Sequence, residues 1–181
     1  MDGVSCLSTP RLLLPAWQYR YGADLARMSS DERVMRYVGQ RPWPPAHAAL
    51  RHSEALAHWV RHGFGWRAVL DRRTGRFLGL ASLTWLHDTL PGIEDAALEI
   101  GWWTEPHAWG RGVATEAARA LLDEAFHRVR TSLVVARCDP ANAASERVMV
   151  KLGMTRRSSD GKTLVYALPA PDGLYDRTPS H

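Results

Sequence analysis

Two cysteines in 181 residues, Cys6 and Cys138, form neither a disulfide framework nor a metal knuckle. Lysine is as scarce, with only Lys151 and Lys162, so arginine carries nearly all of the formal +4 charge. The arginines are scattered, without a block of like charge or a basic stripe interleaved with aromatics, which argues against a nucleic-acid partner. No apolar run approaches the length of a membrane span. The opening "MDGVSCLSTPRLLL" lacks a basic flank followed by an apolar signal core, so a cytoplasmic location away from membranes is expected. Neither an internal repeat nor the P-loop pattern G-x-x-x-x-G-K-[ST] occurs.

What remains is an ordinary globular composition, 45% hydrophobic and 23% charged. The length suits one domain, expected over residues 9–168, followed by a Pro-rich, polar tail at 169–181 that is expected to be flexible. "TPRLLLPAW" reads as an opening strand, and residues 18–38 as one or two helices with caps near Ser29 to Asp31. "GQRPWPP" must be a loop, because its three prolines deny it helix and ladder bonds alike. Ala46 to His62 returns to helix. "WRAVLD" and "RFLGLASLTWL" form a hairpin across "RRTG", and "AALEIGWWT" is a third strand. After Gly112, apolar groups at Val113, Ala117, Leu121, Leu122, Ala125, Phe126 and Val129 make one helical stripe. "TSLVVARCD" is a buried-type strand, Asn142 caps a helix over "AASERVMVKL" with Gly153 as its stop, and "KTLVYALP" closes the series. The order predicts a mixed α/β domain with helices against a sheet.

The stretch "EPHAWGRGVATEA" places Gly110 and Gly112 directly ahead of a helix. Glycines there cost backbone entropy, but they let an anion approach the unpaired N–H groups at the helix start. A phosphate or pyrophosphate is the expected ligand. The dinucleotide fingerprint would need a glycine at Thr115, so that match fails.

"EIGWWTEPHAWGRGVATEAARALLDEAF" followed by "DPANAASERVMVKLGM" resembles the GNAT superfamily of acetyl-CoA-dependent N-acetyltransferases. Within it, "TPRLLL", "DERVMRYVG" and "GFGWRAV" resemble the branch that acetylates N-terminal alanine and serine of ribosomal proteins, and the likeness spans residues 9–168. The resemblance implies a mostly antiparallel twisted sheet flanked by helices, with a splayed strand pair holding acetyl-CoA. It places the pyrophosphate on Trp109, Gly110, Arg111, Gly112, Val113, Ala114 and Thr115. It lays the pantetheine arm along Trp102, Trp103 and Thr104 and brings Asn142 near that arm, where the same residue also serves as a cap. A homodimer is a frequent assembly among such relatives, and no metal is expected, since "HWVRH" lacks the glutamate of H-E-x-x-H and a third ligand.

For the chemistry, a carboxylate that removes the amine's proton is required. Glu99 in "LEIGWW" is the candidate, because a charge inside an apolar strand is costly unless used or paired. A glutamate facing solvent from one side of the strand would look the same in sequence. Glu94 and Asp95 stand in reserve on the preceding loop. Many GNAT enzymes protonate the leaving thiolate with a tyrosine at the position of Met149, so that acid is missing here. The branch resemblance points instead to Ser145, equally readable as an ordinary first-turn residue. A backbone N–H on Ile100 to Trp103 is expected to hold the oxyanion. Cys138 as an acyl carrier and a zinc site on His58 and His62 have little support, and Trp43 is expected to border the acceptor pocket. The expected activity is acetyl transfer to a primary amine such as a protein N-terminal α-amine. A small amine or aminoglycoside-like antibiotic as acceptor, and a non-catalytic acyl-CoA-binding module, are the alternatives.

Overall fold

The computed structural model describes residues 6–39, 41–93, 97–172 and 174. The opening strand is split in two by Pro10, which has no N–H for a ladder. β1 (Leu7–Ser8) turns back on β2 (Leu12–Leu14) in an antiparallel pair. A short 3-10 turn leads into α1 (Gly22–Ser29), and Asp31 caps α2 (Glu32–Met35) by accepting from the N–H of Arg33. α3 (Pro45–His62) begins with proline at its first position, where the missing N–H is harmless, and stops at Gly63 with φ +69°.

β3 (Arg67–Asp71), β4 (Phe77–Trp85) and β5 (Leu98–Thr104) run antiparallel. α4 (Val113–Asp123) follows and widens into a π turn over Glu124–Val129. β6 (Leu133–Cys138) then lies parallel to β5, and α5 (Ala143–Lys151) leads to β7 (Thr155–Ser159) and β8 (Leu164–Pro169). The eight-stranded sheet has the order β1-β2-β3-β4-β5-β6-β8-β7. The sequence reading missed β7, because "TRRSS" has no apolar alternation. It is a mostly exposed edge strand held by pairing with β8, and its arginines suit an edge that must not recruit another chain.

Each face of the sheet is covered. Leu83, Leu98, Ile100 and Val134 pack on the stripe of α4, from Val113 through Phe126, and on Met149 of α5. Trp66, Ala68, Phe77 and Leu80 pack on the opposite side with α1 and α3, through Leu25, Met28 and Trp59. Alternation along β5 therefore points Leu98, Ile100 and Trp102 toward α4, and Glu99, Gly101 and Trp103 to the other face. Among the described residues, no helix is long and apolar enough to cross a membrane. Glu94, Asp95 and all of the tail beyond Asp172 except Leu174 lie outside the described residues.

Candidate active site

Among the described residues, β5 and β6 pair only at Leu98 with Val134 and Glu99 with Val135, while β6 pairs with β8 along its whole length on the other edge. Past that vertex, β5 keeps β4 on one edge, while among the described residues the edge of Gly101 to Thr104 toward β6 has no strand partner. This opening is part of a cavity of about 490 Å³. Trp102, Trp103 and Thr104 form one wall, and Asn142 and Ser145 at the start of α5 form another. Trp109, Gly110 and Gly112 line it too, with the first-turn residues Val113, Ala114 and Thr115 of α4, and so do Val34 and Tyr37.

Gly110 and Gly112 have φ of +71° and +76°, the left-handed conformation that side chains resist. Gly112 is the N-cap of α4, and among the described residues no side chain caps that end. The first-turn N–H groups are those a helix leaves without an internal acceptor, and here they border the cavity. The loop is anchored from both sides. The Trp109 indole N–H donates to the Thr104 carbonyl at 2.8 Å. Across the molecule, Arg11 donates to the Arg111 carbonyl at 2.8 Å and to Glu116 on α4 at 2.6 Å, while the Thr9 hydroxyl donates to the other oxygen of Glu116. Arg111, expected on the ligand surface, is absent from the cavity lining, and its carbonyl serves this anchor instead. Arg11 escaped the sequence reading, because nothing local ties it to a loop 100 residues away.

Asn142 accepts from the N–H of Ser145 at 3.1 Å, so it caps α5 while also bordering the cavity. Ser145 borders the same space, whereas Met149 is buried in the core at 1% exposure and has no proton to give. Burial, with Glu146 and Asp139 nearby, pushes the Cys138 thiol up to about 11, which keeps it from acting as a thiolate at neutral pH.

Glu99 stands at the vertex of the splay but is not on the cavity lining. Both of its oxygens accept from Arg137, at 2.7 and 2.8 Å, and Arg137 also donates to Asp88 at 2.8 Å. These two carboxylates raise the Arg137 pKa. Trp43 packs edge-on against Trp103, with ring centroids 5.0 Å apart, and reaches the cavity only through that neighbour. His58 and His62 are ring neighbours at 4.5 Å, and among the described residues no third ligand joins them.

The family described as "Acetyltransferase (GNAT) domain" matches residues 11–155. The protein named "Uncharacterized N-acetyltransferase YnaD" from Bacillus subtilis (strain 168) is 43% identical over 154 residues, covering 83% of this chain and 82% of that one. A crystal structure of an acetyltransferase from Agrobacterium tumefaciens superposes with a TM-score of 0.76 at 27% identity, over 91% and 94% of the two chains. The ribosomal α-N-protein acetyltransferase RimL in complex with coenzyme A shares the fold, with a TM-score of 0.73 at 16% identity over 91% and 97%. With the family matched across most of its length and a near relative over the same span, this chain belongs to the GNAT family of acetyl-CoA-dependent N-acetyltransferases.

Proposed function

We propose that this enzyme moves the acetyl group of acetyl-CoA onto a protein N-terminal α-amine at the vertex of the β5–β6 splay. The observation that carries the reading is the uncapped start of α4, with two left-handed glycines, facing the same cavity as the free edge of β5. Among the described lining residues there is no carboxylate, while Arg33, Arg147 and Lys151 are present. That charge suits a polyanionic ligand.

Bound acetyl-CoA supplies an activated acyl thioester. The N–H groups of Gly112, Val113, Ala114 and Thr115 would hold its pyrophosphate, and the Trp102–Thr104 edge would pair with the two amides of the pantetheine arm. Asn142 would border that arm. A backbone N–H of Ile100 to Trp103 would stabilise the oxyanion. Glu99 would take the proton of the attacking amine, directly or through water. Arg137 occupies one lone pair on each of its oxygens and leaves others available. An α-amine, with a pKa of about 7.7–8.0, is neutral often enough at pH 7 to need little help, whereas a lysine amine near 10.4 would need a stronger base. Ser145 would position the leaving thiolate or donate weakly to it, which suffices for a thiol of pKa about 8.5.

Thiol release from acetyl-CoA, measured across Ala- and Ser-starting peptides, polyamines and aminoglycosides with calorimetry alongside, tests this. Turnover with the peptides is expected. Turnover confined to polyamines or aminoglycosides would move the acceptor to a small amine. Tight acetyl-CoA binding without any turnover would favour a non-catalytic module.

A further inference from the structure

Every nitrogen of the Arg11 guanidinium is engaged at the glycine turn. Nη1 donates to the Arg111 carbonyl at 2.8 Å, and Nε and Nη2 each meet Glu116 at 2.6 Å. Glu116 in turn donates its backbone N–H to the Gly112 carbonyl at 3.0 Å, so the contacts close a ring around the start of α4. Arg72 ties this ring to β3. Its side chain donates to the Thr9 carbonyl and its backbone N–H to the Arg11 carbonyl, both at 2.9 Å. Neither Arg11 nor Glu116 is among the described residues that line the cavity, whereas Gly110 and Gly112 are. Arg11 therefore acts on the turn from outside the cavity.

What it holds is the orientation of one peptide unit. In a planar trans peptide the C=O and the N–H point in opposite directions. With the Arg111 carbonyl drawn to Arg11, the Gly112 N–H points away from Arg11. Glycine tolerates either sign of φ, so without this restraint the unit linking Arg111 to Gly112 can rotate at little cost. The rotated form presents a carbonyl oxygen where an anion needs a donor. We propose that Arg11 is a positioning residue for acetyl-CoA: its hold on the Arg111 carbonyl keeps the Gly112 N–H aimed at the pyrophosphate before the ligand arrives. This rests on the proposed placement of the pyrophosphate at the start of α4. An arginine suits the task, since one planar fork bonds a carboxylate and a carbonyl at once.

The test compares acetyl-CoA with S-acetylpantetheine, which lacks the pyrophosphate, on the full chain. Calorimetry measures the first, and an NMR titration of the Trp102 to Thr104 amides follows the second. Arg11→Gln is expected to bind acetyl-CoA about tenfold more weakly, as when the competent orientation falls to about a tenth of the population. The same variant should bind S-acetylpantetheine as the unmodified protein does. Arg11→Lys keeps a positive charge beside Glu116 but not the fork, and it should show the same selective loss; it carries the test if the glutamine variant does not fold. Unchanged acetyl-CoA affinity in the variants would overturn the proposal. An equal loss for both ligands would overturn it too, because it would mark a general disturbance of the site. If the unmodified protein bound the two ligands equally, or bound neither, the placement of the pyrophosphate itself would fall, and the role of Arg11 with it.

Discussion

Gly112 shows how one residue links the chain to the ligand. Its φ of +76° is unfavourable for any side chain, and an added Cβ would stand 3.3 Å from the Arg11 guanidinium that anchors the loop. Gly112→Val is expected to weaken acetyl-CoA binding by about tenfold or more, since it adds strain and blocks the close approach of a phosphate. Calorimetry checks this, and an unchanged affinity would remove the phosphate-loop assignment. Glu99 and Ser145 divide the chemistry. Glu99→Gln should lower kcat by about a hundredfold or more and leave acetyl-CoA binding intact. Ser145→Ala should cost less than tenfold, because a thiolate leaves with little help. A larger loss at Ser145 than at Glu99 would mean the roles are inverted. Glu99 was legible in sequence as a charge in an apolar strand. Its partner Arg137 was not, because the two meet only when β6 lies beside β5.

At the scale of elements, α4 connects the site to the far side of the core. Its first turn faces the cavity, and its C-terminal end carries Glu124, whose side chain has no exposure to solvent. Glu124 accepts from Arg67 on β3 at 2.8 and 2.5 Å and from Arg128 one turn later. Arg67 also donates to the Leu14 carbonyl, so the cluster ties α4 to β2 and β3. Removing one partner of a buried pair leaves the other charge poorly compensated. Glu124→Gln is therefore expected to reduce stability by about 3 kcal/mol, readable as a lower urea midpoint. A change of a few tenths would show that the cluster is better solvated than its burial implies. The capped start of α5 was foreseen from Asn142, because capping is a local code of side chain and backbone. The π turn after Asp123 was not, since nothing in "EAFHRV" departs from ordinary helix pattern.

Across the whole molecule, stability depends on acid through histidines that burial holds neutral, two of them on the side of the sheet covered by α3. On the α3 side, burial lowers the pKa of His52 and of His58, the latter also through His62, His87 and Arg61. The Nε2 atoms of both are buried without a hydrogen-bond partner among the described residues. His58 accordingly holds its Nδ1 toward the Phe64 carbonyl at 2.8 Å as a neutral ring. The unfolded chain then binds more protons than the folded one once pH drops below the ordinary histidine value of 6.5. Stability is thus fully present above pH 6.5 and should be lost progressively as pH falls through the lower folded values. Urea midpoints taken from pH 7.5 down to about 5.5 check this, and a flat profile would show that neither ring is held neutral by the fold.

The sequence by itself determined the alternation of helix and strand periods, the glycine turn ahead of α4 and the cap at Asn142. Each is set by contacts within a few residues, so propensity, periodicity and capping can express it. Tertiary structure alone decided that β5 and β6 part after two residue pairs, that α2 lines the cavity, and that "TRRSS" becomes an edge strand. It also decided the locks on the site: Arg137 on Glu99 across 38 residues and Arg11 on Glu116 across 105. Such pairs leave no local trace, because the energy of each is realised only after the sheet has brought distant strands together.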